Sequence, residues 1–168
     1  MITHILLAVD GSEASLQAAR NGITLAKSLK ARLTALVVTV PWATYFSREL
    51  AVIIPDALVP QAEYERQRKV SAAGILQGLE SEARDAGIAL TSVHGIHEHP
   101  YEAVVNEAKK QGCDLIVMAS HSRPGLTGAL VGSETMAVLA HTGIPVLVPP
   151  PELDHLSCGR LDRSQPGN

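Results

Sequence analysis

Two short stretches carry the residue types best suited to holding a phosphorylated small molecule. The segment Asp10 to Ser12 follows the apolar run Ile5 to Val9, and its carboxylate can accept hydrogen bonds from a base or ribose or help to hold a metal. The second stretch, MASHSRPGLTGALVGSETMAVL, spans residues 118–139 and leads into a predicted helix near Ser133. Glycine backbones approach phosphate oxygens closely, and a helix N-terminus presents free N–H groups and the positive end of its dipole. If both stretches meet, they form a phosphate-binding crevice.

Each stretch also has a purely structural interpretation. Aspartate and serine at a strand-to-helix turn commonly cap the following helix. Glycines such as Gly125, Gly128 and Gly132 also tighten turns. The sequence contains no G-x-x-x-x-G-K-[ST] loop, no G-x-G-x-x-G after a strand and no G-x-S-x-G elbow. At this point both interpretations stay open.

A histidine cluster suggests a different chemistry. His94, His97 and His99 lie in VHGIHEHP, and with Glu98 they supply imidazole and carboxylate ligands of the kind zinc or copper accepts. The alternative, which we favour, is an exposed loop before a helix, because loop spacing does not make the three rings converge. Cys113 precedes an apolar run, and we expect a small buried side chain rather than a reactive thiol.

The elements that must position these residues alternate along the chain. Continuous apolar runs are typical of strands buried on both faces, as in parallel sheets. The predicted strands are Ile5 to Val9, Leu33 to Val40, Ile88 to Val93, Leu115 to Met118 and Val146 to Val148. Between them, apolar residues recur at helical spacing, namely Leu16, Ala19, Ile23 and Ala26, then Ala72, Leu76, Leu79 and Ala83. A third helix is predicted to begin at Pro100 and a fourth near Ser133, with Ser133 as its N-cap. The alternation predicts an open, doubly wound parallel α/β sheet.

Three segments depart from this alternation. Pro41 to Pro60 predicts a long, partly helical loop. The charge-dense run AEYERQRK, residues 62–69, predicts a solvated helical face because charges of both signs are interspersed. Residues 151–168 form a polar, proline-containing tail that we expect to be disordered, which leaves one domain over residues 1–150.

Composition narrows the classes of partner. A formal net charge of -3 gives no overall electrostatic footprint for nucleic acid or an anionic membrane. The N-terminal apolar run is too short for a signal peptide or a membrane span, so we expect a cytoplasmic location. The two cysteines form no disulfide framework.

Three segments in order resemble the universal stress protein family: HILLAVDGSEAS, GCDLIVMASH and GSETMAVLAHTGIPVLV. The resemblance covers residues 1 to about 150. It implies a five-stranded sheet of order 3-2-1-4-5, with strands one and four side by side. It also implies a homodimer through the last strand, here Ile144 to Val148.

The resemblance further implies a site for ATP or AMP, with Mg²⁺, in which Val38 meets the adenine through its backbone and Asp10 lies near the nucleoside. The implied site residues are Ala8, Val9, Asp10, Val38, Met118, Ala119, Ser122, Arg123, Gly132, Ser133 and Glu134. ATP-binding members carry G-x-x-G-x9-G-[ST], whose last part is Gly132-Ser133 here. Ala119 and Ser122 replace its first two glycines, so a serine at a positive φ would cost about 1 kcal/mol.

The expected function is therefore a stress-response protein that binds a nucleotide and hydrolyses ATP slowly at most, since no P-loop lysine or positioned base is recognisable. Two alternatives remain. One is a nucleotide-free dimeric interaction module that uses the Trp42 to Leu58 loop. The other is a metal-binding protein that uses His94, His97 and His99.

Overall fold

The computed structural model describes residues 1–49, 60–120 and 132–150. Its strands form one five-stranded sheet of order β3-β2-β1-β4-β5, with every neighbouring pair parallel. The strands are β1 (His4–Val9), β2 (Arg32–Thr39), β3 (Leu90–Ile96), β4 (Leu115–Met118) and β5 (Val146–Leu147). The doubly wound α/β prediction and the strand order implied by the resemblance are confirmed.

Helices cover both faces of the sheet. They are α1 (Glu13–Leu29), α2 (Trp42–Glu49), α3 (Gln61–Asp85), α4 (Pro100–Gln111) and α5 (Ser133–His141). The helices α1 and α3 pack on one face through the predicted stripes that include Ile23 and Leu79. The helices α4 and α5 cover the other face through residues such as Val104 and Val138. Two aliphatic cores therefore sandwich the sheet.

Local sequence signals set the ends of α1. Ser12 is its N-cap, with the side chain accepting a hydrogen bond from the Ser15 backbone N–H, and Lys30 ends the helix in the left-handed conformation. Inside the helix, Gly22 faces the buried Leu7 side chain so closely that a Cβ there would meet Leu7 Cδ2. The glycine therefore lets α1 approach β1 without displacing the tip of Leu7.

Some predicted boundaries need correction, and others lie outside the described ranges. The strand predicted as Ile88 to Val93 runs instead from Leu90 to Ile96, because the Ile88 N–H donates to the Ala83 carbonyl and Ile88 belongs to the end of α3. Ser133 is the first residue of α5, and Gly132 is the N-cap. The predicted partly helical loop begins as α2, while residues 50–59 and the predicted tail 151–168 lie outside the described residues.

Within the described parts of the chain, no helix is both long and apolar enough to cross a bilayer.

Candidate functional site

The crevice expected from the sequence lies where the strand order reverses. β1 pairs with β2 on one side and with β4 on the other, and Ala8 stands opposite Met118. Since β1 ends at Val9 and β4 ends at Met118, opposite Ala8, the turn after β1 and the chain after β4 emerge together at the carboxyl end of the sheet. In open α/β sheets, this switch point is where ligands bind.

The turn after β1 is built around Asp10 and Gly11. Gly11 has a φ of +85°, and a Cβ there would lie 2.6 Å from Ile75 Cδ1 of α3. The Asp10 carboxylate accepts hydrogen bonds from the Ser12 backbone N–H at 3.0 Å and from the Ser12 hydroxyl at 2.7 Å. Asp10 is exposed, whereas Ser12 caps α1. The structural interpretation is therefore confirmed for Ser12, and the Asp10 carboxylate both holds this turn and faces solvent.

The chain leaving β4 is anchored by a contact that sequence reasoning missed. Ala119 is buried in the core shared with Leu115 and Val117, so its methyl group lies under α1 and α3. Its carbonyl accepts a hydrogen bond from the buried Thr135 hydroxyl at 3.0 Å, which ties the first turn of α5 to the end of β4. The signal in the sequence was a threonine two residues after a predicted helix start.

The predicted phosphate-binding residues lie at the N-terminus of α5. Gly132 has a φ of -58°, which any residue can adopt, and no side chain caps the helix at this position. Ser133 and Glu134 are exposed in the first turn. Ser122 and Arg123, together with Gly125 and Gly128, lie outside the described residues.

Glu134 has a structural partner across the helix pair. Its Oε2 accepts a hydrogen bond from the Tyr101 backbone N–H at 3.1 Å, in the first turn of α4. A carboxylate at this position satisfies one of the N–H groups that a helix leaves unpaired at its start. Glu134 therefore joins the N-termini of α4 and α5 at the carboxyl end of the sheet.

Val38 lies at the end of β2, opposite Gly95 of β3. Along β2 the backbone N–H and C=O groups of successive residues point alternately to the two neighbouring strands. The Arg32 N–H donates to the Thr3 carbonyl, just before β1, and the Leu33 N–H donates to the Ala89 carbonyl, just before β3. This alternation directs the N–H and C=O of Val38 toward the β1 side, level with the end of β1. By contrast, the side chains of Val9 and Met118 are buried in the two cores, so these residues can contact a ligand at this end of the sheet through their backbone groups.

The three histidines occupy separate structural positions. The His94 Nε2 atom lies 3.0 Å from the Thr39 hydroxyl, and His97 Nδ1 accepts a hydrogen bond from the His99 backbone N–H at 3.0 Å. His97 Nε2 also lies 3.7 Å from Glu102, and His99 is the N-cap of α4. In the described ranges, no three His, Cys, Asp or Glu side chains are grouped to hold a metal ion. The metal-binding alternative therefore has no support from the placement of these rings.

Cys113 is buried and unpaired with another cysteine. Burial, with a smaller contribution from Asp114, raises the pKa of the Cys113 thiol to about 11. The thiol stays protonated at neutral pH, which confirms the expectation of a small buried side chain.

Solved structures share this fold. A universal stress protein in complex with cAMP superimposes with a TM-score of 0.65 at 19% identity, covering 89% of this chain and 97% of that chain. The universal stress protein of Archaeoglobus fulgidus in complex with dAMP gives a TM-score of 0.58 at 15% identity, covering 88% of this chain and 97% of that chain. At these identities the likeness establishes the fold alone.

Sequence comparison adds the family. Universal stress protein YxiE of Bacillus subtilis is 29% identical over 149 residues, which is 88% of this chain and 99% of YxiE. The model of the universal stress protein family matches residues 1–150, a span that contains all five strands. The chain therefore belongs to the universal stress protein family.

Proposed function

We propose that this protein binds an adenine nucleotide, ATP or AMP, at the carboxyl ends of β1 and β4. The observation that carries the proposal is the pairing of Ala8 with Met118, which brings the Asp10 turn and the start of α5 to one end of the sheet. The fold-sharing proteins solved with cAMP and dAMP support an adenine nucleotide as the ligand class.

In this proposal each part of the crevice meets a different part of the nucleotide. The backbone of Val38 recognises the edge of the adenine, and the Asp10 carboxylate accepts hydrogen bonds from the ribose. The backbones of Ala8, Val9 and Met118 form the floor at the strand ends. The backbone N–H groups of Gly132, Ser133 and Glu134, at the positive end of the α5 dipole, face the phosphates, where Mg²⁺ accompanies ATP, while the Glu134 carboxylate stays on the Tyr101 N–H.

The two substituted glycine positions carry different weight. The Ala119 methyl group is buried in the core with Val117, which supports its being tolerated without crowding a ligand. Ser122 then decides how tightly the phosphates are held, together with the guanidinium of Arg123. We expect Ser122→Gly to tighten nucleotide binding.

We further propose a binding role rather than rapid turnover, with slow ATP hydrolysis as the upper limit. We place the protein in the cytoplasm, as a homodimer joined through Ile144 to Val148. β5 is a two-residue strand at one side of the sheet, and Leu147 on it is 39% exposed. Met136 and Leu139 on α5, the helix that precedes β5 in the chain, are also exposed, and such apolar side chains are candidates for burial against a second copy. The net charge of -3 argues against a nucleic acid partner.

Mass spectrometry of the denatured purified protein tests for a retained nucleotide, and thermal unfolding with added nucleotide tests for binding. A ligand present at 100 times its dissociation constant stabilises the native state by about 2.7 kcal/mol. We expect a higher unfolding midpoint with ATP or AMP. An unchanged midpoint at millimolar ATP and AMP, with and without Mg²⁺, would instead favour the nucleotide-free interaction module.

A further inference from the structure

The amino-terminal part of α3, Gln61 to Ser71, projects beyond the part of the helix that packs in the core of this face. From Gln61 to Ser71, Tyr64 alone is buried, whereas from Ala72 onward the buried residues pack on the core of this face. At 1.5 Å per residue, this projection is about 16 Å long. A crossover helix runs opposite to its strands, so the projection stands at the carboxyl end of the sheet, beside the Asp10 turn that contacts Ile75.

An aromatic and cationic cluster holds α2 against this projection. The rings of Tyr45 in α2 and Tyr64 in α3 lie 5.1 Å apart between centroids. The guanidinium carbon of Arg68 lies 5.1 Å from the Tyr64 centroid and 5.5 Å from the Tyr45 centroid. The Arg68 guanidinium therefore makes cation–π contacts with both rings. We call Tyr45, Tyr64 and Arg68 the clamp.

The clamp is bonded directly to the end of β2. The Tyr64 hydroxyl donates a hydrogen bond to the Val40 carbonyl at 3.0 Å. On the opposite side, the His97 backbone N–H donates to the Thr39 carbonyl at 3.1 Å. The chain that follows Val38 is therefore fixed from α3 on one side and from the β3 end on the other.

We propose that the three residues of the clamp are positioning residues for the nucleoside, an inference that rests on the proposed function. The clamp holds α2 against the projection of α3, and its Tyr64 hydroxyl holds the Val40 carbonyl. Because Val40 lies two residues after Val38, the clamp also fixes the Val38 backbone that faces the adenine. The three residues act through the end of β2 and do not themselves contact the nucleotide. Loosening the clamp lets the nucleoside leave sooner.

The test compares Tyr64→Phe and Arg68→Gln with a matched control, Arg66→Gln. Arg66 lies in the same helix, is exposed and pairs with Glu63 at 2.7 Å, so its substitution removes the same charge without touching the clamp. Dissociation constants and dissociation rates for ATP and AMP are measured well below each unfolding midpoint. We expect both clamp variants to weaken binding about fivefold through faster dissociation. Arg66→Gln should change binding by less than about twofold.

The outcomes separate this inference from the proposed function. If the wild-type protein binds neither nucleotide, the proposed function is wrong and the inference falls with it. If the wild-type protein binds but both clamp variants bind equally well, only the inference is overturned. Equal weakening by Arg66→Gln also overturns it, because the effect would then come from charge alone. If the clamp variants have a lower unfolding midpoint but an unchanged nucleotide dissociation rate, the clamp only stabilises the fold, and the inference is overturned. If Tyr64→Phe fails to fold, Arg68→Gln decides.

Discussion

The two ends of the sheet differ in the exposure of the polar side chains that lie next to strand ends. At the amino end, His4 is 4% exposed, and its ring nitrogens lie 3.1 Å from the Gln111 carbonyl and 2.9 Å from the Thr34 hydroxyl. At the carboxyl end, Asp10 and Ser133 are exposed. Polar groups that bond one another inside the protein contribute to stability, whereas exposed groups at a switch point are available to a ligand. The amino end is therefore expected to contribute mainly to stability, and the carboxyl end is where we propose that the nucleotide binds.

Asp114 extends the amino-end network to the first residues of the chain. Its carboxylate accepts hydrogen bonds from the backbone N–H groups of Thr3 and His4 and from the Thr3 hydroxyl, at distances of 2.9 to 3.1 Å. Burial raises the pKa of the Asp114 carboxyl, but these hydrogen bonds outweigh it and hold the pKa below its ordinary value. The amino end is therefore held together by the Asp114 carboxylate as well as by the buried His4 imidazole.

The largest effect on stability should come from His4→Leu. The change removes the bonds to the last carbonyl of α4, at Gln111, and to the buried Thr34 hydroxyl, which should lower the free energy of unfolding by about 3 kcal/mol. Urea denaturation measures the loss. His141→Leu, at the exposed end of α5, is the control; the His141 ring bonds the Ala137 carbonyl of the same helix and lies 5.0 Å from the Tyr101 ring, so the change should cost less than about 1 kcal/mol. If His4→Leu lowers the free energy of unfolding only slightly, the amino end does not have the stabilising role that we predict for it.

Gly11→Ala tests the carboxyl end and should have a smaller effect. The positive φ of +85° and the 2.6 Å approach to Ile75 Cδ1 strain any side chain there, although the tip of Ile75 can shift. We expect a loss of about 2 kcal/mol by urea denaturation, together with weaker nucleotide binding. Gly74→Ala in α3 meets nothing within 4 Å and should stabilise the protein by about 0.5 to 1 kcal/mol. Unaltered stability in Gly11→Ala would show that this turn is adaptable.

Two serines at helix starts sharpen the comparison within the carboxyl end. Ser12→Ala removes the N-cap of α1 and should cost about 1 kcal/mol in thermal or chemical unfolding. Ser133 is the first helical residue of α5 and makes no cap, so Ser133→Ala should cost less than about 0.5 kcal/mol. Its expected effect is on nucleotide affinity instead. Equal losses of stability would contradict the assignment of Gly132 as the cap.

The pH dependence of stability should trace to the amino end. Burial and the charge of Arg32 lower the pKa of His4, although the Gln111 carbonyl and Asp114 act in the opposite direction. Below the unfolded value of about 6.5, the unfolded chain then binds more protons than the native protein, so stability falls as pH falls. Urea denaturation between about pH 7.5 and pH 5.5 should show this slope in the wild type. His4→Leu should flatten it, and an identical slope in both proteins would exclude His4 as the source.

Much of the fold was readable from the sequence because the sheet is buried on both faces. The continuous apolar run of β4 gave its bounds, Leu115 to Met118, correctly. Ile88 misled the prediction of β3, since an apolar residue at a helix end packs on the same core as the strand that follows. Strand order came from the family resemblance, because pairing partners leave no trace in the local pattern.

The candidate site was less predictable, since it depends on contacts between distant segments. The charge-dense run was predicted as a solvated face, and its charged residues from Glu65 to Lys69 are exposed, but Tyr64 within it is buried. A lone tyrosine among charges was the available signal. The position of Thr135 near a predicted helix start was a local signal, but it did not name the Ala119 carbonyl as the partner, and no local pattern indicated the bond between Glu134 and Tyr101.

Nucleotide affinity and unfolding free energy, measured together in Asp10→Asn and Asp114→Asn, test the division between the two ends of the sheet most directly. Both changes remove one carboxylate charge, and an asparagine at position 10 can still accept the hydrogen bonds from Ser12. We predict that Asp10→Asn weakens ATP and AMP binding about tenfold with little change in unfolding free energy. Asp114→Asn should lower that free energy by about 2 kcal/mol and leave affinity unchanged. The reverse pattern, or equal effects of the two variants on affinity, would contradict the division between a stabilising amino end and a ligand-binding carboxyl end.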